Sequence, residues 1–232
     1  MDEFAKEDLE ISFKGEKVTL EQRLRKERLN FLGALNEKDK CFIKLYPKEN
    51  PCFIRAKSAL ELVVDQGSHS NIMSDFEFGE ANADFVYLVS SFDQKDKNFS
   101  SKHSFSMREI YEIFIGVCNG LEFPHRNRII HRDIKPENLI VKTDNKNTFI
   151  IDFDFAVIND DFSLDEEDIL WGTPYFIAPE TWTYQVYSTQ SDIYALGISL
   201  YEKLTGKFPF EGETVHDIAM AHLNSSFEDP RN

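Results

Sequence analysis

The chain has 232 residues, enough for one large domain or two lobes that share a cleft. Hydrophobic residues make up 41%, with 21 phenylalanines, so a substantial core is expected and global disorder is not. A net charge of −15 argues against a general nucleic-acid binder, which needs a basic face.

No apolar run reaches the roughly 18 residues needed to span a bilayer, and the acidic start Met1-Asp2-Glu3-Phe4 lacks a signal-peptide core. Cys41, Cys52 and Cys118 form neither a disulfide framework nor a metal-ligand pattern. Reduced thiols in a cytoplasmic setting, the cytosol of a host cell included, are expected.

Residues 1–17 are polar with scattered apolar positions and read as an extension. From Val18 to about Tyr46 short apolar runs recur, broken at Asn36-Glu37-Lys38-Asp39-Lys40, a hairpin turn. Phe42, Ile43 and Leu45 form a strand that carries Lys44, and Ala56–Val64 has helical character. Phe76–Phe78 and Phe85–Val89 read as paired strands, and the polar stretch near Gln94–Ser101 as a lobe boundary.

A long helix is predicted from Ser106 to about His125. Ser106 caps it, Glu109 completes a capping box, and Ile110, Phe114, Val117 and Leu121 recur at helical spacing. Pro124 should end or kink it. Leu139–Val141 and Thr148–Ile151 bracket Asp144-Asn145-Lys146-Asn147, a hairpin signal. A second long helix runs from Ser191 to about Leu204, ending near Gly206, and Val215–Leu223 is helix-like. Strands first and helices later indicate an α+β protein.

The motif richest in chemistry is His131-Arg132-Asp133-Ile134-Lys135-Pro136-Glu137-Asn138, with Asp152 following 14 residues after Asn138. Phosphoryl transfer needs a carboxylate for the proton of the attacking hydroxyl, a cation beside the moving phosphoryl group, and oxygens that hold a metal on the nucleotide. Gly172-Thr173-Pro174-Tyr175-Phe176-Ile177-Ala178-Pro179-Glu180 and Asp192-Ile193-Tyr194-Ala195-Leu196-Gly197 stand downstream.

This set resembles the eukaryotic-type Ser/Thr protein kinase family over about Val18–Leu223, most strongly from Ile110 to Phe210. The resemblance implies a two-lobed fold: a small sheet-rich lobe at 18–91 and a helical lobe at 92–232. It makes Asp133 the catalytic base, Lys135 a γ-phosphate contact, and Asn138 and Asp152 the metal ligands for Mg²⁺ or Mn²⁺. Arg132 would pair with an acid of the activation segment, Thr173 would bond near Asp133 and Lys135, and Asp192 would tie down the His-Arg-Asp turn. Lys44 would touch the ATP phosphates and pair with Glu61, 17 residues on. Ser90 would guard the back of the adenine pocket, with Ser91, Phe92 and Asp93 at the hinge. The implied function is ATP-dependent phosphorylation of Ser or Thr on a protein substrate.

Several positions depart from the family pattern. No G-x-G-x-x-G precedes Lys44; the basic run Arg25-Lys26-Glu27-Arg28 stands in that place, as a substitute grip on ATP phosphates or another polyanion, or as an exposed turn. Phe42 occupies a position the family gives to a small residue. Asp154 replaces a glycine, and is expected to stiffen its segment and face solvent. The acids Asp160, Asp161, Asp165, Glu166, Glu167 and Asp168 either stand in for an activating phosphate or form a solvated loop. The resemblance does not extend to the family's last helices, so Glu180 is expected to be unpaired or served by another cation, and second-lobe apolar surface to be open to self-association or an activating partner. A pseudokinase scaffold that binds a partner without transferring phosphate is the alternative reading.

Overall fold

The computed structural model describes residues 9–24, 29–36, 39–67, 69–93, 95–100, 105–142, 147–158 and 172–231. It opens with a small hairpin, β1 (Ser12–Phe13) and β2 (Glu16–Lys17). Lys14 (φ 53°) and Gly15 (φ 78°) turn between them with both residues left-handed, the twist a two-residue hairpin favours.

A five-stranded antiparallel sheet follows, ordered β3-β4-β5-β7-β6, with β3 at Thr19–Arg23, β4 at Asn30–Ala34, β5 at Lys40–Pro47, β6 at Phe76–Glu80 and β7 at Phe85–Phe92. Alternation along β5 gives the sheet two faces. Cys41, Ile43 and Leu45 are buried on the outer face with Phe31, Tyr87, Val89, Ile11 and Phe13. Residues 9–17, expected as an extension, thus seal the outside of the sheet. A Cβ on Gly33 would come within 2.7 Å of Val18 Cγ1, so this close packing needs glycine. Phe42, Lys44 and Tyr46 fall on the opposite face, toward the helical region.

Helix α1 (Pro51–Asp65) begins earlier than apolar periodicity suggests. Asn50 Oδ1 accepts the Cys52 N–H at 2.9 Å and Pro51 fixes the first turn. Its inward stripe is Ala56, Ala59, Leu60 and Val63. Helix α2 (Met107–Arg126) starts at Ser106 with both halves of the capping box formed. Pro124 lies inside its last turn, where the missing N–H costs one helical bond and the helix runs two residues further.

Beyond the short β8 (Lys97–Asn98), the chain forms β9 (Ile129–Ile130), β10 (Leu139–Val141), β11 (Thr148–Ile150) and β12 (Val157–Ile158). β10 and β11 pair as the expected hairpin, and β12 pairs with β9. Helices α3 (Pro179–Tyr184), α4 (Thr189–Thr205) and α5 (Val215–Asn224) complete the helical region. Gly206 ends α4 in the left-handed conformation (φ 73°), its N–H bonding Glu202 O at 2.7 Å. A continuous core joins α1, α2, β10, β11 and α4 through Leu60, Val117, Leu121, Leu139, Ile150 and Leu196. Among the described residues no helix is long and apolar enough to cross a membrane.

Candidate active site

The loop between β9 and β10 is held from beneath by one buried carboxylate. Asp192, in the first turn of α4, accepts the His131 N–H on Oδ2 and the Arg132 N–H on Oδ1, each at 2.9 Å. His125 Nε2 donates to Oδ2 at 2.8 Å. Ser188 and Ser191 form the capping box that starts α4, which fixes Asp192 at the positive end of the helix dipole. The strained turn above it needs such support, because Arg132 sits at φ 64°.

Each loop side chain then has a place. The His131 ring packs 4.7 Å from Phe153, and its Nε2–H donates to the Ile151 carbonyl at 3.0 Å. Arg132 Nε donates to the Phe155 carbonyl, and its guanidinium lies 5.2 Å over the Tyr187 ring. The acids expected to meet Arg132, residues 160–168, lie outside the described residues.

Asp133 is buried yet richly solvated by protein donors. Lys135 Nζ lies 2.9 Å from Oδ1 and 2.8 Å from Oδ2. Asn138 Nδ2 donates to Oδ2 at 2.9 Å and to the Asp133 backbone carbonyl at 2.7 Å. Lys135 also reaches Thr173 Oγ1 at 2.8 Å, which ties the loop to the Gly172–Glu180 segment. Because both amide protons of Asn138 point at Asp133, its oxygen Oδ1 is the atom left to meet a cation. The Asn138 carbonyl accepts the Ile151 N–H at 3.0 Å, which sets Asp152 beside it. Asp152 adopts φ 69°, a left-handed conformation that aspartate tolerates better than most residues.

Lys44 comes from β5 to close the site, but not with the expected partner. Its Nζ lies 2.5 Å from Asp152 Oδ1 and 2.9 Å from Asp154 Oδ1. Burial alone would lower the ammonium's pKa; the two carboxylates outweigh burial and raise it. The Lys44–Glu61 pair does not form in this structure. With Ala56, Leu60 and Val63 facing inward, the helical turn points Glu61 to the exposed side, 3.8 Å from Lys57.

Asp154 is likewise a correction, because it is 6% exposed and does not face solvent. Its Oδ1 accepts both Lys44 Nζ and the Tyr46 hydroxyl, the latter at 2.8 Å. Its φ is not positive, so the site does not require a glycine there. Burial, with Asp152 nearby, pushes its pKa up to about 6 against the pull of Lys44. Tyr46 was missed by sequence reasoning, although strand alternation from Lys44 could have found it.

Glu180 receives the Ser191 hydroxyl at 3.2 Å. Ser90 is buried opposite Phe42 and Phe76, while Ser91 is exposed and still paired with Cys41. Its N–H donates to Asp75 O at 3.2 Å. Phe92 pairs with Lys40 at the end of β7, and its side chain lies outside the described residues. Arg25, Lys26 and Arg28 also lie outside them, between β3 and β4, whose ends meet where Leu24 N–H donates to Asn30 O at 2.8 Å.

The residues present fit a divalent cation. Asp152 and Asp154 place two carboxylates beside one buried ammonium, and carboxylate and amide oxygens are the ligand type such a cation takes. Among the described residues no three His, Cys, Asp or Glu groups gather as a metal cluster. A cation here would therefore draw on Asp152, Asn138 Oδ1, water and phosphate oxygens, the ligand set that suits magnesium.

Residues 44–230 match the protein kinase domain. The chain is 30% identical over 190 residues to the serine/threonine-protein kinase PrkC of Bacillus subtilis, covering 81% of this chain and 27% of that protein. It is 36% identical over 155 residues to calcium-dependent protein kinase 4 of Plasmodium berghei, covering 65% of this chain and 29% of that protein. It thus spans somewhat more than a quarter of the length of these curated relatives. Among solved structures, the Cydia pomonella granulovirus kinase PK-1 shares the fold at a TM-score of 0.69 and 19% identity, over 90% of this chain and 76% of that one. On the loop, the fold and these matches together, the chain belongs to the protein kinase family, with Ser/Thr kinases among its relatives.

Proposed function

We propose that this chain transfers the γ-phosphoryl group of ATP to a serine or threonine hydroxyl of a protein substrate, with Mg²⁺ or Mn²⁺ as cofactor. The observation that carries the reading is Asp133, whose carboxylate is aimed by Lys135 and Asn138 within 2.9 Å. In the reaction the substrate hydroxyl oxygen attacks the γ-phosphorus, the bond to the β-phosphate oxygen breaks, and ADP leaves. Asp133 receives the hydroxyl proton, and Lys135, bridging Asp133 and Thr173, steadies the transferring group. Lys44 meets the non-transferred phosphates. Asp152 and Asn138 would hold the cation, which supplies charge neutralisation to the phosphates. Positioning and preorganised charge carry most of the rate.

The pseudokinase reading draws on two observations: Phe42 shares the inner sheet face with Lys44, two residues away, and two carboxylates already engage that lysine. Transfer of radiolabelled γ-phosphate to a basic protein substrate, with Asp133→Asn in parallel, separates the two. The native chain should label the substrate, and the variant should lose about 100-fold or more, the usual share of a general base. Equal labelling by both would support the scaffold.

A further inference from the structure

A buried ammonium must be paired, and the inner face of α1 offers Lys44 nothing. That face is Ala56, Ala59, Leu60 and Val63, none of which carries a charge. Lys44 is 5% exposed and instead has two carboxylates. One of them, Asp152, is also the residue best placed to meet a cation. A carboxylate oxygen turned to a metal is a poor anchor for a lysine at the same moment, so the second carboxylate is not redundant.

Asp154 is built for that second task. It lies in a tight turn in which Ala156 N–H donates to Phe153 O at 3.0 Å, and the Phe153 ring is buried against His131. The Phe155 carbonyl beyond it is held by Arg132 Nε. Tyr46, on the same face of β5 as Lys44, donates its hydroxyl to the same oxygen, Asp154 Oδ1. A glycine at 154 would leave both the buried tyrosine hydroxyl and the lysine one partner short. The three side chains form a set that joins the sheet to the catalytic region without using α1.

We propose that Asp154 is the positioning carboxylate of this site: it holds Lys44 for the nucleotide phosphates in place of a helix glutamate. The lysine is thereby set by the loop after β11, and its placement does not depend on where α1 sits. The inference rests on the kinase reading above for its consequence in catalysis, whereas the pairing itself can be tested without activity.

The catalytic arm compares Asp154→Asn, Asp154→Glu and Glu61→Gln by steady-state kinetics. Asp154→Asn should raise KM for ATP about tenfold, the loss of one charged hydrogen bond, with a much smaller change in kcat. Asp154→Glu, which keeps a carboxylate, should recover most of that loss. Glu61→Gln, whose side chain the structure places outside the site, should leave both constants unchanged. The second arm measures thermal unfolding of Asp154→Asn in the native background and in Lys44→Met. The substitution should lower the midpoint when Lys44 is present. It should raise the midpoint when Lys44 is absent, because a carboxylate beside Asp152 is then removed. If the native chain transfers no more phosphate than Asp133→Asn, the kinase reading fails and the unfolding arm alone decides the pairing. A KM raised by Glu61→Gln and untouched by Asp154→Asn, or the same midpoint change in both backgrounds, would overturn the proposal.

Discussion

The His131–Asn138 loop and the Lys44 pocket solve the same problem, a buried charge, by opposite routes. Asp133 is surrounded by donors from its own loop: Lys135 is two residues away and Asn138 five. Lys44 meets its partners across 108 and 110 residues of sequence. The loop is therefore assembled as one short unit, braced from below by Asp192. The pocket exists only when the sheet and the helical region are packed together. The loop can keep the family's motif intact while the pocket changes its membership, because the loop's contacts are local and the pocket's partners arrive from distant segments.

Substitutions that remove one arrangement and spare the other differ in expected size. Asp192→Asn should be the most damaging, because an amide cannot accept two backbone N–H groups and a histidine N–H at once. We expect a loss of about 3 kcal/mol in denaturant unfolding, with transfer activity falling further than stability. Next comes a pH response in the frame that carries Asp192. His222 bonds the Tyr194 hydroxyl of α4 at 2.7 Å, and burial lowers its pKa from 6.5 to about 4. Between those values the unfolded state binds more protons than the folded one, so stability falls as pH drops from about 6.5 to 4. His222→Gln should flatten that part of the stability curve.

Smaller effects follow. Tyr46→Phe removes one hydrogen bond to buried Asp154 and should cost about 1–2 kcal/mol, read as a lower midpoint in urea. Ser106→Ala deletes the cap of α2, remote from both sites, and should cost about 1 kcal/mol with ATP kinetics unchanged. Glu61→Gln, on the exposed side of α1, should change stability by less than about 0.5 kcal/mol.

How much of this was legible in the sequence follows from the same contrast. The capping box at Ser106, the β10–β11 hairpin, the Gly206 stop and the spacing from Asp133 to Asn138 are local patterns, and local rules read them. Asn50-Pro51 is a start signal for α1 that apolar periodicity, which begins only at Ala56, does not carry. The partner of Lys44 was not legible, because a 17-residue spacing to a glutamate says nothing about which way a helix is rotated. Asp154 was read as solvent-facing for a related reason. An aspartate between two phenylalanines reveals its burial only when a tyrosine and a lysine from a distant strand arrive beside it. The sealing of the sheet by Ile11 and Phe13 was hidden by their short, polar-flanked context.

On the proposed function, both regions meet on one metal-bound nucleotide: Lys44 from the sheet, Asn138 and Asp152 from the loop. The most direct test is a thermal-unfolding titration of the full chain with ATP, with and without Mg²⁺, alongside Asp152→Asn. The midpoint should rise only when ATP and Mg²⁺ are both present, and the rise should be lost in the variant. The same rise without metal, or an undiminished rise in Asp152→Asn, would contradict it.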